Sequence, residues 1–387
     1  MSQTTTTGFD FSYTEEQIAV RDVARSFADS EIRPVVMHFD ERMEFPTEIF
    51  KKLGDLGFLG IMVPTELGGA GLGATEAALV IEEVGRVDPS MGLSVAAHNG
   101  LCVAHINLFG SDAQKKKYLP DLAAGTKLGA WGLTEPGSGS DSAGLLTTAT
   151  KVDGGYTLNG SKIFMTHGSV GETAVVLAMT DKSKGTKGIS AFILERSMKG
   201  YMPMKKENKL GMRCSDTSFV IFENVFVPAE NLIGEEGQGF VQAMKVLDGG
   251  RISIAALSLG CAEGAFDAAL KYSQERKQFG KRLCDFQAIQ FKLAQMGMNI
   301  ETSRMLTYRA AHLRDSGQPY AFAASQAKLF ASETAVRCSE EGVQIHGGYG
   351  YIKEFPAEKY YRDSKLLTIG EGTSEVQRMV IARAILR

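Results

Sequence analysis

Asp153-Gly154-Gly155-Tyr156-Thr157-Leu158-Asn159-Gly160 interrupts the helical texture of everything before it. Two glycine turns, each led by a residue that tolerates left-handed backbone, flank a short β-prone run, which predicts consecutive tight hairpins. Further β-branched and aromatic runs follow at 174–179, 189–194 and 218–227. Residues 128–238 are therefore expected to form a compact, antiparallel, barrel-like β domain.

On either side the pattern is helical. In 1–127, Thr14 and Gln17 read as a capping box ahead of Ile18, Val23, Ala24 and Phe27 on helical spacing. Pro34 and Pro46 mark helix boundaries, 75–84 and 114–122 read as further helices, and Lys115-Lys116-Lys117 as a solvated face. In 239–387, the spans 240–275, 286–316 and 319–345 contain few breakers, and Val376, Met379, Val380 and Ala384 make an apolar stripe on a fourth helix capped by Ser374 and Gln377. Long helices with short connections make a four-helix bundle. The expectation is a mainly α protein with a central β domain.

The 387 residues are 44% hydrophobic, with 42 Lys and Arg against 45 Asp and Glu, a net charge of −3. That excludes disorder and leaves no polybasic field for nucleic acid or an anionic membrane. The uncharged stretch 92–110 carries His98, Asn99, His105 and Asn107, too polar for a membrane span. The first residues lack a basic start and an apolar stretch, so no secretory leader is expected. Cys102, Cys214, Cys261, Cys284 and Cys338 are dispersed and odd in number, which predicts free thiols, no metal site and a soluble cytoplasmic protein. Gly69-Ala70-Gly71-Leu72-Gly73-Ala74 matches a dinucleotide fingerprint, but Pro64–Leu67 separates it from any preceding strand and no strand–helix alternation follows. It reads as a glycine-rich turn ahead of a helix.

Four segments carry chemistry. Trp131 to Asp141, through Thr134-Glu135-Pro136-Gly137-Ser138-Gly139-Ser140, combines small residues and hydroxyls that let backbone N–H groups approach a polar ligand; a plain connecting loop is the alternative. Phe164 and Thr166 place an aromatic and a hydroxyl two apart on one strand face, or simply a core ring and a surface threonine. Arg276, Lys277 and Lys281 near a helix end suit a pyrophosphate as well as the helix dipole. Glu371 stands between Gly370 and Gly372 just before a capped helix, where a ligand can meet carboxylate and backbone together.

These segments, in their helix–β–helix order, resemble the acyl-CoA dehydrogenase family over the whole chain, most closely its short-chain, butyryl-CoA-like branch. The resemblance implies FAD between the β domain and the C-terminal bundle. It places Leu133, Thr134, the loop through Ser140, Phe164 and Thr166 at the flavin. It assigns Arg276, Phe279, Gln287, Gln344, Gly347 and Gly348 to the rest of the cofactor, with Thr373 and Glu375 closing the site. It assigns Ser140, Asp248, Arg251 and Gly372 to acyl-CoA and Glu371 to the catalytic base. It further implies electron-transferring flavoprotein as partner and a homotetramer, with some cofactor contacts supplied by a neighbouring subunit.

The chemistry agrees with that role. Oxidising a saturated thioester removes a weakly acidic α proton and a β hydride, and a carboxylate beside an apolar chain gains basicity from burial. In the family that the chain resembles, other branches carry their base at the position of Gly250, so the resemblance leaves Glu371 with no obvious rival. Against the family it resembles, Phe164 stands where many members have Trp, His167 where Asn is common, and Gly370 where Tyr is often found. No Arg occurs in 88–99, which disfavours a dicarboxylic substrate. The expected reaction is α,β-dehydrogenation of a short- to medium-chain acyl-CoA. A relative acting on branched or cyclic acyl-CoA, or a non-catalytic flavin- or acyl-CoA-binding scaffold, are the alternatives.

Overall fold

The computed structural model describes residues 12–386; the first positions, on which the leader reading falls, lie outside that range. Seven helices come first: α1 (Glu15–Phe27), α2 (Val36–Arg42), α3 (Thr47–Asp55), α4 (Ala74–Val87), α5 (Pro89–Ala97), α6 (Ala104–Phe109) and α7 (Asp112–Ala123). Seven strands follow: β1 (Gly129–Gly132), β2 (Thr148–Val152), β3 (Gly155–Thr166), β4 (Thr173–Met179), β5 (Ile189–Glu195), β6 (Tyr201–Lys206) and β7 (Thr217–Pro228). The chain returns to helix in α8 (Gly239–Glu275), passes a small hairpin of β8 (Lys277–Gln278) and β9 (Lys281–Arg282), and ends in α9 (Gln287–Asp315), α10 (Ala321–His346), α11 (Ala357–Leu367) and α12 (Ser374–Ile385). The mainly helical chain with a central curled sheet is the expected fold; α11 is an addition to the helices anticipated.

The Thr14–Gln17 capping box forms, but of the four apolar positions behind it only Ala24 and Phe27 are buried, since α1 rests on α4 by a narrow stripe. Both α4 and α5 are buried along their whole lengths. The glycine segment before α4 follows a single turn of 3-10 helix at Thr65–Leu67, not a strand. The N-terminus of α4 is satisfied internally: the Asp315 carboxylate accepts from Ala74 N at 2.6 Å and Thr75 N at 2.9 Å. A phosphate there would meet that carboxylate. Although α8 is long and apolar enough to cross a membrane, 78% of its apolar window is buried inside the protein.

The sheet runs β1-β4-β2-β3-β7-β6, with β5 on β4. Its ladders are antiparallel except for β1, which pairs parallel with β4, and one parallel bridge between β2 and β4. The Asp153-Gly154 turn joins β2 to β3 as expected. The second hairpin, expected at Asn159-Gly160, does not occur: β3 runs straight through, and the pair forms a bulge against β7. The reason is a close approach. A Cβ on Gly160 would stand 2.6 Å from Thr147 Oγ1 and 2.7 Å from Thr147 Cα, so the glycine serves strand crossing and not chain reversal.

Three buried histidines pin β1 to its surroundings. Gly129 N–H donates to His98 Nδ1 at 3.0 Å, Gly129 O accepts from His167 Nδ1 at 3.0 Å, and the Trp131 indole donates to His105 Nδ1 at 3.1 Å. His98 Nε2–H donates to the Leu59 and Leu122 carbonyls, and His105 Nε2–H to Gln242. Each ring is therefore held neutral in one tautomer. Burial pulls His98 down to about 3 and His105 to about 4. The unfolded chain binds protons at these rings below its ordinary value near 6.5 while the folded chain does not, so they erode stability as pH falls. In urea unfolding, the stability advantage of wild type over His105→Gln should shrink by about 1.4 kcal/mol per pH unit from pH 6 towards 4; a constant gap would show that His105 is not buried neutral.

Candidate active site

Between α11 and α12 the chain makes a tight turn at Glu371-Gly372. Both residues are left-handed, with φ of 52° and 92°, a conformation that disfavours a glutamate by about 1–3 kcal/mol. Thr373, not Ser374, is the N-cap of α12: its hydroxyl accepts from Val376 N at 3.3 Å. Ser374 is the first helical residue, and Gln377 is drawn away from any capping box because its amide turns back to the carbonyls of Glu371 at 3.3 Å and Gly372 at 3.1 Å. Lys328, from α10, donates to Gly372 O at 2.7 Å.

The Glu371 carboxylate points at α8. A Cβ on Gly250 would stand 2.1 Å from Glu371 Oε2, so only glycine leaves room there. Oε2 is buried without a hydrogen-bond partner. Burial pushes the carboxyl up to about 7, with Lys328 and then Arg251 opposing. Arg251 is itself buried and donates to Asp248 at 2.6 Å and Ser325 at 3.4 Å, while its Nε has no partner. Burial raises Asp248 despite that cation. Glu371, Gly372, Asp248 and Arg251, singled out in the sequence, thus surround one point; Lys328 and Gln377 join them and were not foreseen.

A second group forms at the edge of the sheet. Leu133 is buried and Thr134 half-buried, and Thr134 O accepts from Ile163 N at 2.9 Å, tying the loop to β3. The next residue, Phe164, is left-handed at a second bulge and 64% exposed; Thr166 is half-buried. Ser140 is exposed, and Gly137 and Gly139 face open space. The loop hangs on an ion pair invisible in the sequence. The Glu135 carboxylate accepts from Lys162 Nζ at 2.7 Å, Leu146 N at 2.6 Å and Thr147 N at 3.0 Å, and Lys162 also donates to Leu133 O at 3.0 Å. Burial lowers Lys162 to about 8 with Glu135 opposing, while the Lys162 charge and these bonds outweigh burial to hold Glu135 low.

The third group is remote from Glu371 within the chain. The Arg276 guanidinium lies 5.4 Å over the Tyr349 ring. Arg276, Gly347, Gly348 and the stacked pair Tyr272–His346 line a cleft of about 460 Å³. Gln344 and Gln287 are exposed, as is Glu375 in the first turn of α12. Phe279, left-handed at the tip of the β8–β9 hairpin, is 94% exposed. Phe279, Gln287 and Gln344 project outward and are not hydrogen-bonded to the Glu371 turn, whereas Glu375 follows that turn directly at the start of α12.

Lys162→Met should lower the unfolding free energy by about 3–5 kcal/mol, because it strands Glu135 as an unpaired buried charge. Chemical denaturation checks this, and a loss below about 1 kcal/mol would mean that solvent reaches the pair.

Comparison with known proteins agrees with this architecture. The N-terminal, middle and C-terminal domain models of acyl-CoA dehydrogenase match residues 14–126, 130–225 and 237–386. A short-chain specific acyl-CoA dehydrogenase of Clostridium acetobutylicum is 48% identical over 378 residues, 98% of this chain and 100% of its own. The butyryl-CoA dehydrogenase of Megasphaera elsdenii superposes with a TM-score of 0.96 at 46% identity, covering 98% of this chain and 100% of that one. A chain in a structure of the electron transferring flavoprotein of Acidaminococcus fermentans superposes with a TM-score of 0.97 at 48% identity, with the same coverage. With all three domains matched in order and near-complete coverage of these relatives, the chain belongs to the acyl-CoA dehydrogenase family of FAD-dependent oxidoreductases.

Proposed function

We propose that this protein dehydrogenates a short- to medium-chain acyl-CoA to the trans-2-enoyl-CoA, with Glu371 removing the α proton. The observation that carries the reading is the carboxylate of the half-buried Glu371: its Oε2 is buried without a partner, and the group is raised to about 7. A carboxylate so placed is a stronger base than one in water, and it meets an α carbon with no competing hydrogen bond at that oxygen. The identities of 46–48% to short-chain and butyryl-CoA dehydrogenases support the short acyl chain.

The residues suit FAD. The open glycines 137 and 139 and the exposed Phe164 offer backbone and an aromatic face to a flavin. Arg276 and the open glycines 347 and 348 line a cleft wide enough for the rest of the cofactor. When bound, FAD supplies the acceptor for the β hydride. Leu133, Thr134, Ser140 and Thr166 would border its flavin, and Phe279, Gln287 and Gln344 its distal part, with Thr373 and Glu375 closing the site. Since Phe279 and Gln287 project away from their own chain, a homotetramer in which a neighbour receives them is the assembly we propose. Asp248, Arg251, Ser140 and Gly372 would meet acyl-CoA, and electron-transferring flavoprotein would take the electrons, in keeping with the 48% identical chain found with such a flavoprotein.

Glu371→Gln should retain FAD and acyl-CoA binding and lose turnover by at least about 10³-fold; substantial residual dehydrogenation of butyryl-CoA would remove Glu371 from the mechanism. The base must be ionised to act, so kcat/KM for wild type should rise with pH and reach half its plateau near 7. Gly250→Ala should displace the carboxylate and cut kcat by about 10²-fold while FAD remains bound, which absorbance and steady-state rates together test.

A further inference from the structure

Lys328 is a buried lysine without a carboxylate to bond. It is fully buried on α10 beside Ala324, Ala327 and Ala331. A lysine in such a place ordinarily pairs with an acid, as Lys162 does with Glu135 and Lys359 with Asp88 and Asp363. Lys328 forms no salt bridge among the described residues, and its Nζ donates to the neutral carbonyl of Gly372 at 2.7 Å. The charges around it are Glu371 on the turn, Arg251 on α8, Glu375 on α12 and Glu333 on its own helix. Glu375 is exposed, and Glu333 bonds Arg378 at 2.6 Å. Arg251 is committed to Asp248. Lys328 is therefore the cation that acts most strongly on Glu371, ahead of Arg251.

Gln377 makes the second half of the arrangement. It is fully buried on α12, and its amide donates to the carbonyls of Glu371 and Gly372. A Cβ on Gly372 would stand 2.6 Å from Gln377 Nε2, so the contact requires glycine. Two donors from two helices thus hold a turn that a glutamate backbone alone would leave, and strained backbone persists only where its surroundings over-determine it.

We infer that Lys328 and Gln377 are positioning residues for the Glu371 base: together they clamp the carbonyls of the Glu371–Gly372 turn, and Lys328 also holds the base in its ionised form. This rests on the reading of Glu371 as the base. Burial lowers Lys328 itself to about 8, so its charge is present while Glu371 ionises and fades above that range.

The test isolates proton abstraction from oxidation. 3,3-Dimethylbutyryl-CoA has α protons but no β hydrogen. In D2O the base takes an α proton as the electron pair moves to the thioester oxygen, the carboxylic acid exchanges with solvent, and a deuteron returns to the α carbon. NMR follows this exchange against pD in the FAD-loaded protein, with the melting temperature of each variant recorded. Lys328→Met and Lys328→Gln should both move the rising limb to higher pD by about half a unit to one unit, because a cation beside the carboxylate is lost. Gln377→Met should leave the limb in place and lower the plateau by about tenfold or more, because only the clamp is loosened. Limbs that stay fixed in both Lys328 variants, or a Gln377→Met plateau equal to wild type, would overturn the inference. If Lys328→Met does not fold, Lys328→Gln decides the charge effect alone. Glu371→Gln separates the two claims: persistent exchange in that variant refutes the base itself, whereas absent exchange there with wild-type behaviour in the Lys328 and Gln377 variants refutes only the positioning.

Discussion

The close crossing of α8 over α4 is the constraint on which the rest of the molecule depends. Gly260 and Gly264 remove the side chains at the contact: a Cβ at either would lie 2.2 Å from the carbonyl of Glu82 or of Arg86. The backbones can therefore meet, and α8 also reaches the sheet at β5, the N-terminal helix α5 and its bundle partners α9 and α10. A single helix thus indexes all three parts of the chain against one another. Gly250 rides on that helix, and its place opposite Glu371 is a consequence of the same crossing.

The crossing buries charge, and most of that charge is neutralised locally. Arg304 bonds both Glu82 and Glu263, with the Tyr308 hydroxyl donating to Glu82. Lys359 lies between Asp88 at 2.7 Å and Asp363 at 2.6 Å, and Arg362 joins Asp40 to Glu358. Buried ions are tolerable when they are paired in this way. Lys328, fully buried, bonds only a neutral carbonyl, and the buried Oε2 of Glu371 bonds nothing; ionisable groups left in that condition on facing elements point to a functional site. The contrast is internal to one molecule, which makes it a stronger pointer than burial alone.

Much of the architecture was legible from local chemistry. The Thr14 capping box, the Asp153-Gly154 hairpin and the long breaker-free spans of the last third act within a few residues of themselves, so their pattern survives in the sequence. The reading failed where a local signal was put to a distant use. Asn159-Gly160 looks like a hairpin turn, yet the glycine is needed to let Thr147 approach. Ser374 with Gln377 looks like a capping box, yet Gln377 answers carbonyls of the preceding turn and Thr373 takes the cap. The polar residues of 92–110 read only as unsuited to a membrane span, and it is the fold that shows His98 and His105 anchoring β1.

By itself, the sequence determined the helix–β–helix order and the glycine-flanked Glu371. Those are statements about residue type and spacing, and spacing is preserved whatever the helices later do. Only the tertiary structure decided that Lys328, 44 positions from Gly372, and Gln377 would close on one turn, and that the carboxylate there would have its Oε2 buried and be raised to about 7. A pKa depends on burial and on charges brought from other elements, and both follow from how helices are rotated and packed, a property that no stretch of sequence carries alone.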